Sequence, residues 1–398
     1  MRILLAVFIF AVASFWSSFG GMVEVDLIPL QTQGIAGEPH LSGDPDGRVF
    51  MSWVERSKTD SETEAALRWS ELVDGTWTPA QTIAKGADWF VNWADVPSVT
   101  AAGSGRMMAH WLQRLGENRY AYGVRYAVSN DEGASWSTPA WLHQDLSPTE
   151  HGFVSLVPVP TGYIATWLDG NGYASGTNEM AMHARSIAWD GSLGEESAVD
   201  TRTCDCCPTT MTSLEDGTVM AFYRDRSEGE VRDIYASRFE NKTWSEPVPV
   251  HNDGWMLQAC PVNGPAAHSS DETVAVAWFT AAGGSPAVHV AFSGDQGLTF
   301  EAPIQIDSGR PTGRVALRML SDSEVAVMWI ESAGSEEAGL MLKIINRAGK
   351  TLHTVKVADT SSARSSGYPR LEKFGDSLIA AWTVPGEPST LQTAQVSW

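Results

Sequence analysis

The sequence predicts an all-β chain: a seven-bladed β-propeller of four-stranded antiparallel blades, its ring closed by an N-terminal strand. Three observations predict it. One phrase, a proline-containing start, a strand, a turn and a second strand ending in an aromatic, recurs seven times at intervals of roughly 50–60 residues. Two further short strands follow most copies, which gives the four-strand unit of a propeller blade. Helical periodicity is nearly absent, and the 36 Gly, 20 Pro and 17 Trp suit turns and aromatic-bearing strands.

The first unit opens with "EPHLSGDPDGRVFMSWVE" (38–55) and continues with "ALRWSEL" and "TWTPAQTI". The second opens with "DVPSVTAAGSGRMMAHWLQ" (95–113), followed by "YGVRYAVS" and "SWSTPAWL". "HGFVSLVPVPTGYIATWLD" (151–169) and "CCPTTMTSLEDGTVMAFYRD" (206–225) open the third and fourth. The last three start with "CPVNGPAAHSSDETVAVAWFT", "GRVALRMLSDSEVAVMWIE" and "GYPRLEKFGDSLIAAWTV". The aromatic ending the second strand is Trp53, Trp111, Trp167, Tyr223, Trp278, Trp329 or Trp382. One per unit at one strand end is the spacing that packing between blades requires, so these seven are expected in the core. The seventh unit has three clear strands, and "MVEVDLIPL" is a lone strand that would complete it and cover a bare edge.

"MRILLAVFIFAVASFWSSFGGM" has one Arg, an apolar run and then small residues, the pattern of an export signal over residues 1–21. Residues 22–398 then form a single propeller domain, expected to be monomeric and secreted or periplasmic. A membrane would hold it only if that first segment were retained. The formal charge of -21 with no basic block excludes nucleic acid as a partner. It also makes the surface a poor long-range attractor for anionic glycans, apart from any local basic pocket.

Unit starts and second-to-third loops share one face of a propeller, so reactive residues far apart in sequence are expected to meet around the axial mouth. The unit starts offer His40, Asp95, Glu150, His151, Arg314, Tyr368 and Arg370, and the loops add Asp169, Arg226 and Glu331. "TRTCDCCPTT" places Cys204, Cys206 and Cys207 at the fourth start, and "QACPVNGP" places Cys260 at the fifth. Adjacent starts allow bridges to Cys260, so two disulfides, or one disulfide plus a strained pairing nearby, tying the rim are the first reading. The second is a soft copper or zinc site of thiolates with His151 or His40. The third is a nucleophilic cysteine with His151 as base. Under the first, no cofactor is expected.

Two turns, "SNDEGASW" (129–136) and "SGDQGLTF" (293–300), read S-x-D-x-G-x-[ST]-aromatic, with degenerate copies in "VDGTW" and "FENKTW". They resemble the Asp-box turns of the sialidase-like β-propeller superfamily, also called BNR repeats, and the likeness spans nearly the whole chain beyond the first segment. It implies structural roles for Asp131 and Asp295, and an active face opposite those turns. It also implies a carbohydrate ligand and glycoside hydrolase-like activity. By that resemblance Tyr368 would be the nucleophile, Glu331 or Glu150 its partner and Asp95 the acid/base. Arg314 and Arg370, with Arg226 or Arg232 as a third, would clamp a carboxylate, with His40, His151 and Asp169 beside the ligand. "GEPHL" stands where the superfamily's enzymes open with an F/Y-R-I/L-P phrase, so one clamp arginine is missing. A noncatalytic glycan- or protein-binding propeller and a metal-binding one are the competing readings.

Overall fold

A computed structural model describes residues 23–58 and 63–398; the expected export segment, residues 1–21, lies outside the described residues. Seven antiparallel sheets follow one another along the chain. Blade 1 runs from Ile35–Gly43 at the axis through Val49–Lys58 and Thr63–Val73 to its outer strands. Blades 2 to 6 have innermost strands Ser98–Ala101, His151–Val159, Thr210–Ser213, Ala266–Ser270 and Pro311–Met319. In blade 7, Arg370–Phe374 is innermost and Glu24–Ile28 outermost, paired antiparallel with Thr390–Ser397 from Glu24↔Ser397 to Ile28↔Thr393. The first strand therefore closes the ring as expected, and the fold is the seven-bladed propeller read from the repeats.

Seven apolar layers fill the seven spaces between adjacent blades. The seven repeated aromatics lie in them, each 3% exposed or less. Three also brace their own strand end. The period-2 alternation puts residue i+2 on the same face as residue i. The indole N–H of Trp53 therefore donates to Glu55 (3.0 Å), that of Trp167 to Asp169 (2.9 Å) and that of Trp329 to Glu331 (2.6 Å). Trp329→Ala should destabilise the fold by about 3–5 kcal/mol, read by denaturant titration, because the packed layer cannot collapse around the void.

Both full Asp boxes are braces between third and fourth strands. Asp131 accepts hydrogen bonds from the Ser129 hydroxyl and the Ser135 amide, and Asp295 from the Ser293 hydroxyl and the Thr299 amide. Gly133 and Gly297 both sit at φ +78. A Cβ on Gly133 would also strike the Trp69 ring of the neighbouring blade at 2.5 Å.

The opposite face is built differently. Innermost strands bulge near their starts in blades 1, 3 and 6, between Gly37 and His40, Gly152 and Ser155, and Gly313 and Ala316. Each bulge holds a non-glycine residue at positive φ: Glu38 (54°), Phe153 (52°) and Arg314 (56°). Bulges re-aim side chains, and strained backbone of this kind collects at functional rims. Two of the bulge amides are held by a side chain from a preceding unit start. The Phe153 N–H donates to Asp95 Oδ1 (2.8 Å), and the Arg314 N–H to Asn263 Oδ1 (2.8 Å).

Candidate functional site

A cavity of about 670 Å3 is the axial channel, lined by the innermost strands of all seven blades and reaching from Ala94 and Tyr368 near the unit starts to Asp44, Gly47 and Gly375 at the first-to-second turns. Its charged lining is largely committed: Arg318 makes two hydrogen bonds to Glu372 (2.9 and 2.7 Å), and the Arg370 Nε–H donates to the Pro39 carbonyl (3.0 Å). His40 faces this channel, and burial followed by the Arg370, His110 and Arg318 charges pushes its pKa well down. Tyr368 is buried against Trp93, and its hydroxyl donates to the Val262 carbonyl at 2.6 Å. Arg314 is also buried, giving its guanidinium to Ala363 O, Ser362 O and the Ser366 hydroxyl.

Asp95 and Glu150, distant in sequence, meet at the phenol of Tyr122. The Tyr122 oxygen lies 2.7 Å from Asp95 Oδ2 and 2.8 Å from Glu150 Oε1. A phenol has one proton to donate, and two ionised carboxylates could only accept. One carboxyl must therefore carry a proton and donate it back to the phenol oxygen. The surroundings enforce this. Burial raises the Asp95 pKa to about 7 against the opposing hydrogen bonds from Tyr122 and the Phe153 amide. Burial also raises Glu150 to about 8; the Tyr122 hydrogen bond opposes this, and the Asp95 and Asp205 charges add to it. Tyr122 and Asp95 are at most 1% exposed, whereas Glu150 is half-buried and reaches solvent. Gly152 makes the approach possible, since a Cβ there would stand 2.0 Å from Asp95 Oδ2.

A raised carboxyl pKa has a definite sign in stability. Asp95 stabilises the fold fully below the ordinary carboxylate range, and that contribution is lost as pH rises through about 7. Asp95→Asn should flatten the fall in stability between about pH 4 and pH 7, by on the order of a few kcal/mol in denaturant titrations.

Beside Glu150 the rim continues into a second cavity, about 400 Å3, lined by Asp205, Arg226, Glu230, Arg232, Gln258, Ala259 and Cys260. Glu230 accepts hydrogen bonds from the Nε and Nη2 of Arg226 (both 3.0 Å) and from Arg232 (2.8 Å), with Arg202 at 3.6 Å. Arg226 and then Arg232 pull its carboxyl down to about 2. Arg226 also lies 3.6 Å from Asp205. Tyr173, 40% exposed on the short helix Asn171–Ser175, has its phenol raised to about 12, by burial first and then by Asp205.

The wall of this cleft is the Cys206–Cys260 disulfide, a link between the fourth and fifth starts. Cys204 and Cys207 are free and buried, with their sulfurs 2.8 Å apart. Arg232 donates to Cys204 at 3.3 Å. Burial would raise the Cys204 pKa, but hydrogen bonds from Cys207 and the Cys206 amide, with the Arg224 and Arg232 charges, bring it to about 7. With Cys206 and Cys260 bonded to each other, Cys204 and Cys207 are the two thiols that remain in the cluster.

Of the residues singled out from sequence, Asp95 and Glu150 are joined, and Arg226 sits on the same rim. Tyr368, Arg314, Arg370 and His40 gather at the axis. Glu331 braces Trp329 and accepts the Arg310 N–H at 2.6 Å, with no contact to Asp95, Glu150 or Tyr368. His151 and Asp169 are buried together under the third start. Tyr122 was missed. It begins a third strand, where the alternation in "YGVRYAVS" reads as core, although third-strand starts lie on the same face as unit starts.

No protein-family model matches the sequence, and no curated protein matches it significantly. Solved structures do resemble it. The BP39L lectin from Burkholderia pseudomallei superposes with a TM-score of 0.62, at 13% identity over 92% of this chain and 97% of the lectin. A protein of unknown function from Dyadobacter fermentans gives 0.52, at 14% identity over 94% and 99% of the two chains. The phage phi92 endosialidase also gives 0.52, at 10% identity over 94% of this chain and 69% of that one. The chain is thus a seven-bladed propeller whose fold is similar to that of the endosialidase and the lectin. At these identities the likeness is one of fold alone.

Proposed function

We propose that the protein hydrolyses a glycosidic bond at the rim between its second and fifth blades, with Glu150 as proton donor. The observation that carries this reading is the Tyr122 phenol shared by two carboxyls, because it requires a stored proton on the rim. Glu150, the member that reaches solvent, delivers the proton to the leaving oxygen. Asp95 and Tyr122 are positioning residues that keep the acid protonated and aimed. Asp205, ion-paired with Arg226 across the adjacent cleft, is the complementary carboxylate, the second of the pair that glycoside cleavage uses. Tyr173 offers an aromatic face for a sugar ring. Export fits the reading, since a disulfide persists in an oxidising compartment.

Release of reducing ends from a panel of neutral and acidic oligosaccharides tests it. Turnover of one linkage class by the intact protein, lost in Glu150→Gln, is the expected result. The likeness to a lectin, at a higher TM-score than the endosialidase, favours a second reading in which the same rim binds glycan without cleaving it. Binding by calorimetry with no turnover across the panel would decide for that reading.

A further inference from the structure

Beneath the third unit start lies a group of side chains that the glycan reading does not use. His151 is fully buried, and its Nδ1 lies 3.2 Å from the Tyr122 carbonyl oxygen. A carbonyl can only accept, so Nδ1 carries the hydrogen and, in the neutral ring, Nε2 presents a lone pair. That lone pair faces two carboxylates, Asp145 Oδ2 at 3.3 Å and Asp169 Oδ1 at 3.7 Å. Three acceptors turned toward one another repel unless a proton or a metal cation stands between them.

The separations say which kind of cation fits. A charge-assisted N–H···O bond is about 2.7–2.9 Å long, shorter than either distance. Donor atoms held about 2.1 Å from one tetrahedral metal ion are roughly 3.4 Å apart, which matches both. The three ligand atoms all lie within 4.8 Å of one another. Among the described residues neither Asp145 nor Asp169 pairs with an arginine or lysine, and His183, 3.8 Å from Asp169 Oδ2, is hydrogen-bonded to Glu196 at 2.9 Å instead.

The surroundings hold each donor in place, as the outer partners of metal ligands do. The Trp167 indole and the Asn171 amide donate to Asp169 at 2.9 and 3.0 Å. The Ser147 hydroxyl and amide donate to Asp145 at 2.6 and 3.0 Å. His143 stacks on His151 with ring centres 4.3 Å apart, but it is not a ligand, because both its nitrogens are committed, to the Val124 amide and the Asp145 carbonyl. Glu196, 2.9 Å from His183 and 3.8 Å from Arg185, is paired elsewhere.

We infer that Asp145, His151 and Asp169 bind one divalent first-row cation of the zinc or manganese type. One imidazole and two carboxylates are harder donors than the thiolates that select Cu(I). Asp145 is the exposed edge of the site, so a water completes the coordination from that side. This inference is independent of the glycan reading, because metal binding is read with no carbohydrate present.

The full chain, stripped with chelator and then dialysed, should take up about one equivalent of Zn2+ or Mn2+ by calorimetry and elemental analysis, and its Tm should rise with the metal. Asp145→Asn, at the site's partly exposed edge, should weaken uptake at least tenfold, and His151→Gln should abolish it. X-ray absorption should find nitrogen and oxygen neighbours only. No uptake, unchanged affinity in a folded Asp145→Asn protein, or sulfur in the first coordination sphere would each overturn the assignment. Should His151→Gln fail to fold, the Asp145→Asn titration decides alone.

Discussion

Glu150→Gln is expected to lower kcat on a cleavable glycan by about 10²–10⁴-fold with little change in KM, the loss typical of a removed general acid. The amide still fills the space beside Tyr122 but has no acidic proton to give a leaving group. Asp95→Asn separates chemistry from architecture. Asn263 already holds the Arg314 bulge amide through its side-chain oxygen, so an asparagine at 95 retains the Phe153 brace. With one carboxyl left on the phenol, Tyr122 donates to Glu150 and no extra proton is required. The alkaline limb of the pH–rate profile, set by a Glu150 pKa of about 8 in the native protein, should move to lower pH. A purely structural Asp95 would leave that limb in place.

The second large effect is on stability. Cys206 and Cys260 are 54 residues apart in sequence, and on chain-entropy grounds such a bridge contributes about 4 kcal/mol. Cys206→Ser should remove most of it, measured by denaturant titration without reductant. The native protein, denatured under the same conditions, should show two titratable thiols, from Cys204 and Cys207, and the variant three. The cleft should suffer with the bridge, because Cys260 lines it beside Arg232, whose guanidinium holds Glu230 and touches Cys204.

The fold was legible because a propeller repeats its signals. Seven aromatics mark seven inter-blade layers, two Asp boxes fix which face the third-to-fourth turns occupy, and a lone first strand needs a partner. The site was legible only in part. Unit starts could be placed on one face from the repeat alone, which brought Asp95 and Glu150 into consideration together. What joins them, Tyr122, hides in an alternating strand whose pattern is that of core.

The strand-end acids were ambiguous for a related reason. Glu331 and Asp169 follow a tryptophan by two residues, and pleat geometry turns that spacing into an indole–carboxylate bond. A W-x-[DE] ending thus reads first as a brace. Asp169 differs because His151, at the start of its own unit, stands opposite it in the sheet. Arg314 shows the opposite trap: a cation at a unit start spends its donors on the backbone carbonyls of Ser362 and Ala363. Charge at a rim position does not by itself make a ligand contact.

The proton count at Tyr122 is open to direct observation by isotope-edited infrared spectroscopy of the carboxyl groups at about pH 6, below the raised pKa values. Protonated carboxyl absorption is predicted in the native protein, beside that of Glu38 and Asp225, which burial also raises to about 7, and it should fall or shift in both Asp95→Asn and Glu150→Gln. A protonated-carboxyl spectrum left unchanged by either substitution, which would mean two ionised carboxylates at Tyr122, would contradict the account.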